Sequence, residues 1–179
     1  MTTGKVLDGK PCAGNPRGSM FRKAKIMTLA ICAAWTAATF GAKVSKSVPR
    51  GWMEDFAAAQ KTAEADKKLI LLAFSGSDWC GWCVKMDREV YSDKKFIQKA
   101  KDKFVLVMID SPSDKEILTK LALRQNPELV KKYGIRGFPC SIVVRPNGEE
   151  VKRFGGYQSG GPEAFLEKLS EVAAKELSH

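Results

Sequence analysis

The chain has 179 residues, 44 % hydrophobic and 28 % charged, the balance of a soluble globular protein rather than a disordered one. Its net charge of +10 is uneven: residues 1–42 carry six basic residues and one acidic residue, leaving +5 for 43–179, where Lys-Lys pairs at 67–68, 94–95 and 131–132 are scattered along the chain. Scattered charge makes a solvated surface and not a basic stripe, so nucleic acid is not an expected partner; and with His179 the only histidine, no Ser-His or Cys-His nucleophile pair and no histidine-rich metal cage can be assembled.

From Met20 a basic stretch (Arg22, Lys23, Lys25) precedes an uncharged apolar run, Ile26 to Ala42, that closes on small residues. This order predicts a secretory signal peptide over 20–42, cleaved after Ala38 or Gly41; left uncleaved, the same segment is a signal anchor. Residues 1–19, rich in Gly, Pro and Thr, read as an unstructured leader or a mis-assigned start. Cleavage removes Cys12 and Cys32 and leaves Cys80, Cys83 and Cys140 in an extracytoplasmic compartment, periplasmic or secreted, where a thiol pair can cycle.

Residues 43–51 read as a polar linker containing Pro49 and Gly51, and 52–179 as one folded domain. Trp52 to Lys67 is expected to be helical, with Phe56, Ala59 and Ala63 inward. LILLAF (69–74) and FVLVMI (104–109) are short continuous apolar runs, as in strands covered on both faces. A helix from about Gly81 puts Cys83, Met86 and Val90 on one face, and Ser92 is the expected cap of a further piece reaching Lys101. Ser113 and Glu116 have capping-box spacing ahead of Ile117, Leu118 and Leu121. Asn126-Pro127 reads as the start of another helix, stopped by Gly134. SIVVR (141–145) and EVKRF (150–154) flank Pro146-Asn147-Gly148, a strong hairpin signal. A last helix, Pro162 to Glu176, buries Phe165, Leu166 and Leu169. Strands alternating with helices, then a hairpin and a helix, define an α/β domain with a central mixed sheet flanked by helices.

The chemistry concentrates in SDWCGWCVK, Ser77 to Lys85. As a zinc half-site, Cys80 and Cys83 need two more ligands, and Cys140 and His179 lack the spacing of a second half-site, so no metal is expected. As a structural staple the pair closes too short a loop to restrict the unfolded chain much. As a redox pair it has a mechanism. A helix N-terminus favours a thiolate, and Cys80 stands where the strand-loop hands over to the helix. Cys83, one turn on and on the apolar face, suits a covered resolving thiol, while Cys80 is expected to be exposed and acidic.

DWCGWC, followed some 50 residues later by KKYGIRGFP, resembles the thioredoxin superfamily. GSDWCGWC with Glu89-Val90-Tyr91-Ser92-Asp93 is similar to its secreted thioredoxin-like members. The likeness spans about Trp52 to Glu176. It implies a thioredoxin-like fold, Cys80 as nucleophile, Cys83 as resolver, and no cofactor beyond the redox-active Cys80–Cys83 disulfide. It also implies a cis bond at Phe138-Pro139 against the disulfide, and a substrate surface that includes Trp79, Gly81 and Trp82.

The chain departs from the family in four places. Ala73 stands where thioredoxin has a buried Asp that assists proton transfer to the resolving cysteine, leaving Asp78 and Lys85 as nearby candidate modulators. Trp82 replaces the usual proline between the cysteines. SPSDKEILTKLALR (111–124) looks like an insertion adding one helix. Cys140 replaces a Thr after the cis-proline; it is expected to be a small buried hydrophobe, the sharper alternative being a third thiol that tunes the active pair.

The function expected is that of an extracytoplasmic thiol–disulfide oxidoreductase, monomeric, exchanging disulfides with protein thiols and served by a membrane electron donor or acceptor. Its direction is set by a redox potential that the motif does not fix. The alternative is a protein-binding module on the same fold, without redox turnover.

Overall fold

The computed structural model describes residues 45–178, so the expected leader and the signal or anchor segment lie outside the described residues. Four strands form one mixed sheet, ordered β2-β1-β3-β4. The central strand β1 (Leu69–Ser75) runs parallel to β2 (Phe104–Asp110), and every residue of both is buried. A parallel pair needs a long crossover. Here it is α2 (Gly81–Met86), a π-helical turn (Asp87–Tyr91) and α3 (Lys94–Ala100). On its other side β1 pairs antiparallel with β3 (Cys140–Val144), which forms a hairpin with β4 (Glu150–Gly155).

Side chains alternate across a strand, and β1 divides the core accordingly. Leu69, Leu71 and Ala73 pack with Met86, Val90, Tyr91 and Phe96, and with Phe165 and Leu169 of α5 (Gly161–Glu176). Ile70, Leu72 and Phe74 pack with Phe56, Ala59 and Ala63 of α1 (Phe56–Asp66), and with Leu129 of α4 (Lys120–Lys132). Leu166, expected inward, is only half-buried.

Helix starts differ from expectation where a better cap lies nearby. Asp55 caps α1, its carboxylate accepting from the Ala58 N–H, so the helix begins at Phe56 and not at Trp52. Asp93 rather than Ser92 caps α3, accepting from the Phe96 N–H at 2.7 Å. Ser92 instead closes the preceding π turn, its N–H donating to the Asp87 carbonyl and its hydroxyl to the Asp87 carboxylate.

The segment 113–124 does not form a helix of its own. Asp114 caps a single 3-10 turn, Lys115–Ile117, and Thr119 then caps α4, which runs through Asn126-Pro127 without a break. Asn126 is therefore no cap: it lies buried inside α4 and donates from Nδ2 to the Asp110 carbonyl at 2.7 Å. Ala122, Asn126 and Leu129 share one buried face, and that anchoring carries the helix past the N–H that Pro127 lacks. Gly134, at φ +56°, ends it. The N–H groups of Gly134 and Ile135 donate to the carbonyls of Lys131 and Val130, a Schellman closure.

The expected linker is part of the domain from Ser45 onward. Ser45 is buried, donates to the Glu54 carboxylate from its N–H and its hydroxyl, and accepts from the Thr119 N–H. Met53 also bridges β2 through two backbone hydrogen bonds, covering part of that edge.

One buried hydrogen bond joins the crossover to the hairpin: Tyr91 Oη and Ser141 Oγ lie 2.7 Å apart. Tyr91→Phe leaves the Ser141 hydroxyl without this partner and is expected to cost about 1–3 kcal/mol of stability in urea unfolding. Adding Ser141→Ala should recover part of that loss, because the orphaned group is then gone.

Candidate active site

The loop after β1 narrows onto α2. The Cys80 N–H donates to the Gly76 carbonyl at 2.9 Å, and Cys80 then serves as the N-cap of the helix. Its sulfur accepts from the Cys83 N–H at 3.2 Å, while its carbonyl accepts from Val84. The two cysteines are joined as a disulfide, with Cα atoms 5.2 Å apart. A sulfur held at a helix start by a backbone donor is where negative charge is best tolerated after the bond opens. Cys80 retains 8 % of its surface and Cys83 only 1 %. The expected asymmetry is thus present, but the outer cysteine is much more covered in the disulfide form than the motif suggested.

Two tryptophans accompany the pair in the chain, each preceding a cysteine. Trp79 is 53 % exposed, yet its indole is fixed, with Nε1 donating to the Ser111 carbonyl at 2.9 Å and the ring edge-on to Phe138 at 5.6 Å. The indole lies so close over Gly76 that a Cβ there would come within 2.4 Å of the ring. Trp82, 59 % exposed, stands 5.6 Å from the Tyr157 ring. Lys85 Nζ sits over both, 5.4 Å from the Trp82 ring and 4.6 Å from the Tyr157 ring. The Tyr157 hydroxyl donates to Glu89 and holds that carboxyl below its usual range. Gly81 is exposed between the cysteines.

The second wall comes from far along the chain. Cys140 opposes Phe74 in the β1–β3 register, which sets the preceding residues beside the cysteine loop. The Phe138-Pro139 bond is cis. The Pro139 carbonyl accepts from the Gly156 N–H at 2.8 Å. Among the described residues, the backbone N–H and carbonyl of Phe138 make no hydrogen bond. An open groove of about 350 Å³, lined by Arg136, Phe138, Pro139, Cys140 and Arg153 among others, runs past this point.

The three candidate modulators part company. Asp78 accepts from the N–H groups of Ser113 and Asp114, each at 2.8 Å, and those two donors hold its carboxyl below the ordinary value. Its contacts tie the cysteine loop to the 111–114 segment. Lys85 packs on the aromatic frame. Cys140 is a free, buried thiol, pushed up by burial and opposed in this by the Arg153 guanidinium.

Three neighbours of the site lie outside the motif, the Ser111 carbonyl, Tyr157 and Asp87, and Gly76 lies within it without its place under Trp79 being legible. Only Asp87 was within reach of sequence reasoning, because it follows Cys83 by four residues, one helical turn. It is half-buried, and desolvation raises its pKa, with Asp110 adding to the rise and the Ser92 hydroxyl opposing it.

Residues 56–173 match the model of the family described as Thioredoxin-like domain. The chain is similar to the disulfide bond reductase DsbH of Chlamydia pneumoniae, 30 % identical over 87 % of this chain and 95 % of the relative. It is 34 % identical to the thioredoxin-related protein DsbJ of the same organism, over 59 % of this chain and 30 % of that one. Among solved structures, a DsbH oxidoreductase superposes with a TM-score of 0.63 at 26 % identity, over 73 % of this chain and 90 % of the other. A thioredoxin from Thermus thermophilus, at 23 % identity and a TM-score of 0.53, shares the fold over 72 % of this chain and 89 % of its own. With its helix-capping Cys80–Cys83 disulfide, the chain belongs to the thioredoxin-like family, among its thiol–disulfide oxidoreductases.

Proposed function

We propose that this protein is an extracytoplasmic disulfide reductase acting on protein substrates. Cys80 is the attacking thiol. Reduced Cys80 opens a substrate disulfide and forms a mixed disulfide; Cys83 then attacks Cys80, releases the substrate thiol and leaves the intramolecular bridge. No cofactor beyond that bridge is required. The observation that carries this assignment of roles is the unequal cover of two joined sulfurs at a helix start, Cys80 at 8 % and Cys83 at 1 %.

Three further features support the reading. Trp79, Trp82 and Phe138 frame the disulfide with apolar surface suited to a peptide. The unpaired backbone of Phe138 can add hydrogen bonds to an extended substrate. The similarity to a chlamydial disulfide bond reductase favours the reducing direction. Sustained reduction in an oxidising compartment needs a supply of electrons, for which a membrane donor is the fitting source. The extracytoplasmic assignment rests on the signal-like residues 20–42; among the described residues no helix is long and apolar enough to cross a membrane.

The equilibrium potential of the Cys80–Cys83 couple against glutathione tests the direction. A value of about −270 mV is expected of a reductant, and one of about −120 mV would make the protein an oxidant instead. Cys83→Ser should accumulate mixed disulfides with protein substrates through Cys80. Absence of any trapped partner would favour a binding module over an exchange enzyme.

Gly76→Ala tests the aromatic frame. The added methyl displaces the Trp79 indole, and the expected result is a loss of about 1 kcal/mol of docking energy, roughly fivefold in KM. The potential should stay unchanged, since the disulfide and its capping N–H are untouched. An unaltered KM for a protein disulfide would remove Trp79 from the substrate surface.

A further inference from the structure

Exchange through Cys83 needs a base, because the thiolate and not the thiol attacks. Cys83 is 1 % exposed, so bulk water does not serve it directly. The strand position where the family resemblance leads one to expect a buried acid is Ala73, which packs against the core with Met86, Val90 and Met108. That strand supplies no proton acceptor at this position.

The helix supplies one. Asp87 lies one turn after Cys83, and the two line the same cavity, about 90 Å³, together with Ser47, Ser75 and Ser77. A cavity of that size has room for water. The Ser47 hydroxyl is buried and makes no hydrogen bond among the described residues, and polar groups of this kind are where internal water binds.

The groups facing Asp87 can be named. Ser92 donates to Oδ1 at 3.0 Å. The Asp110 carboxylate at the end of β2 repels it, and is itself held by the N–H and hydroxyl of Ser77. The Tyr91 phenol, on the same turn, is bonded to Ser141. No cation is among these neighbours. Burial first, and then Asp110, raise the carboxyl above its ordinary value, and a raised carboxyl is the better proton acceptor.

We propose that Asp87 is the proton acceptor and donor for Cys83, acting across water in the cavity they share. The inference rests on the exchange reading above. In the resolving step the Cys83 proton passes through water to the Asp87 carboxylate, and the Cys83 sulfur attacks the Cys80 sulfur. The Cys80–Cys83 bond forms and the bond from Cys80 to the substrate sulfur breaks. The electron pair leaves on the substrate thiolate, which takes a proton from solvent, and Asp87 returns its own proton to solvent. Two electrons have moved from the enzyme dithiol to the substrate disulfide. When the enzyme is re-reduced, protonated Asp87 gives its proton to the departing Cys83 sulfur.

The test compares wild type, Asp87→Asn and Asp87→Glu in single-turnover oxidation of the reduced protein by a peptide disulfide across pH. Formation of the first mixed disulfide is followed separately in a Cys83→Ser background. Asp87→Asn should slow resolution about 10²-fold at neutral pH, with the deficit shrinking as pH rises and hydroxide takes over. Asp87→Glu should retain most of the rate, and the first attack by Cys80 should be unaffected. Wild-type exchange with an unchanged rate and pH profile in Asp87→Asn overturns this inference alone. A wild type without exchange at any pH overturns the oxidoreductase reading and this inference with it.

Stability of the oxidised protein gives a readout independent of turnover. A carboxyl whose folded pKa is raised gives its full stability below the unfolded pKa and loses it as pH rises through the folded pKa. Asp87→Asn should therefore raise Tm at neutral pH and leave it unchanged in acid. An equal Tm at neutral pH would mark a solvated carboxylate and overturn the proposal.

Discussion

The register between β1 and β3 is the constraint on which the site depends. Phe74 opposite Cys140 sets the end of one strand against the start of another, 66 positions later in the chain. The residues just outside that pair are the ones with chemistry: the loop leading to Cys80 on one side, Phe138-Pro139 on the other. A slip of one residue would turn Ile70, Leu72 and Phe74 to the wrong face and carry the cis-proline away from the disulfide. The pairing is protected by burial, since all seven residues of β1 and all five of β3 are buried. The Tyr91–Ser141 hydrogen bond then ties the same strand start to the end of the π turn.

Much of this was legible because the signals are local and apolar. Continuous runs of Leu, Ile, Val and Phe identify β1 and β2, and Asn147-Gly148 identifies the hairpin, whose turn has Gly148 at φ +85°. The errors cluster at helix starts, where neighbouring residues compete to cap. Ser92 and Asp93 are adjacent and both can cap. The π turn decides between them, because its wider ladder closes on Ser92 and leaves Asp93 for α3. Asn126-Pro127 was misread for a related reason. The pair has the form of a helix start, but the Asn126 amide is engaged by the Asp110 carbonyl on β2, and no local pattern records that partner.

At the site, the cysteines and, through the resemblance, the cis Phe138-Pro139 bond were legible; the contacts that fix the aromatic side chains were not. Two cysteines separated by one helical turn, at a helix start, are visible in the motif itself. Trp79 owes its position to a carbonyl 32 residues away and to a glycine beneath it; Trp82 and Lys85 owe theirs to Tyr157. Asp78, the nearest carboxylate in sequence, is occupied by two backbone donors from the 111–114 segment. Asp78 is exposed and held by those donors, whereas Asp87 is half-buried and lines a cavity with Cys83.

α2 and the π turn that continues it therefore carry three groups in order of increasing distance from the helix start. Cys80 caps it, where free N–H groups favour a negative sulfur. Cys83 comes one turn later, and Asp87 one turn later still, beyond reach of the N-terminal donors. The same dipole that favours charge on the first group gives little help to the third, so burial and Asp110 dominate there. The π turn that begins at Asp87 stacks Ser92 above it, five residues on, and supplies the one hydroxyl that holds the carboxylate in place. Such turns are frequent at functional sites. A strand-borne acid depends on how the helix packs against the sheet, whereas a helix-borne one has its spacing from Cys83 set by the helix itself. Replacement of the strand carboxyl by Ala73 is then compatible with a working proton path, and the methyl fills the core against Met86 instead.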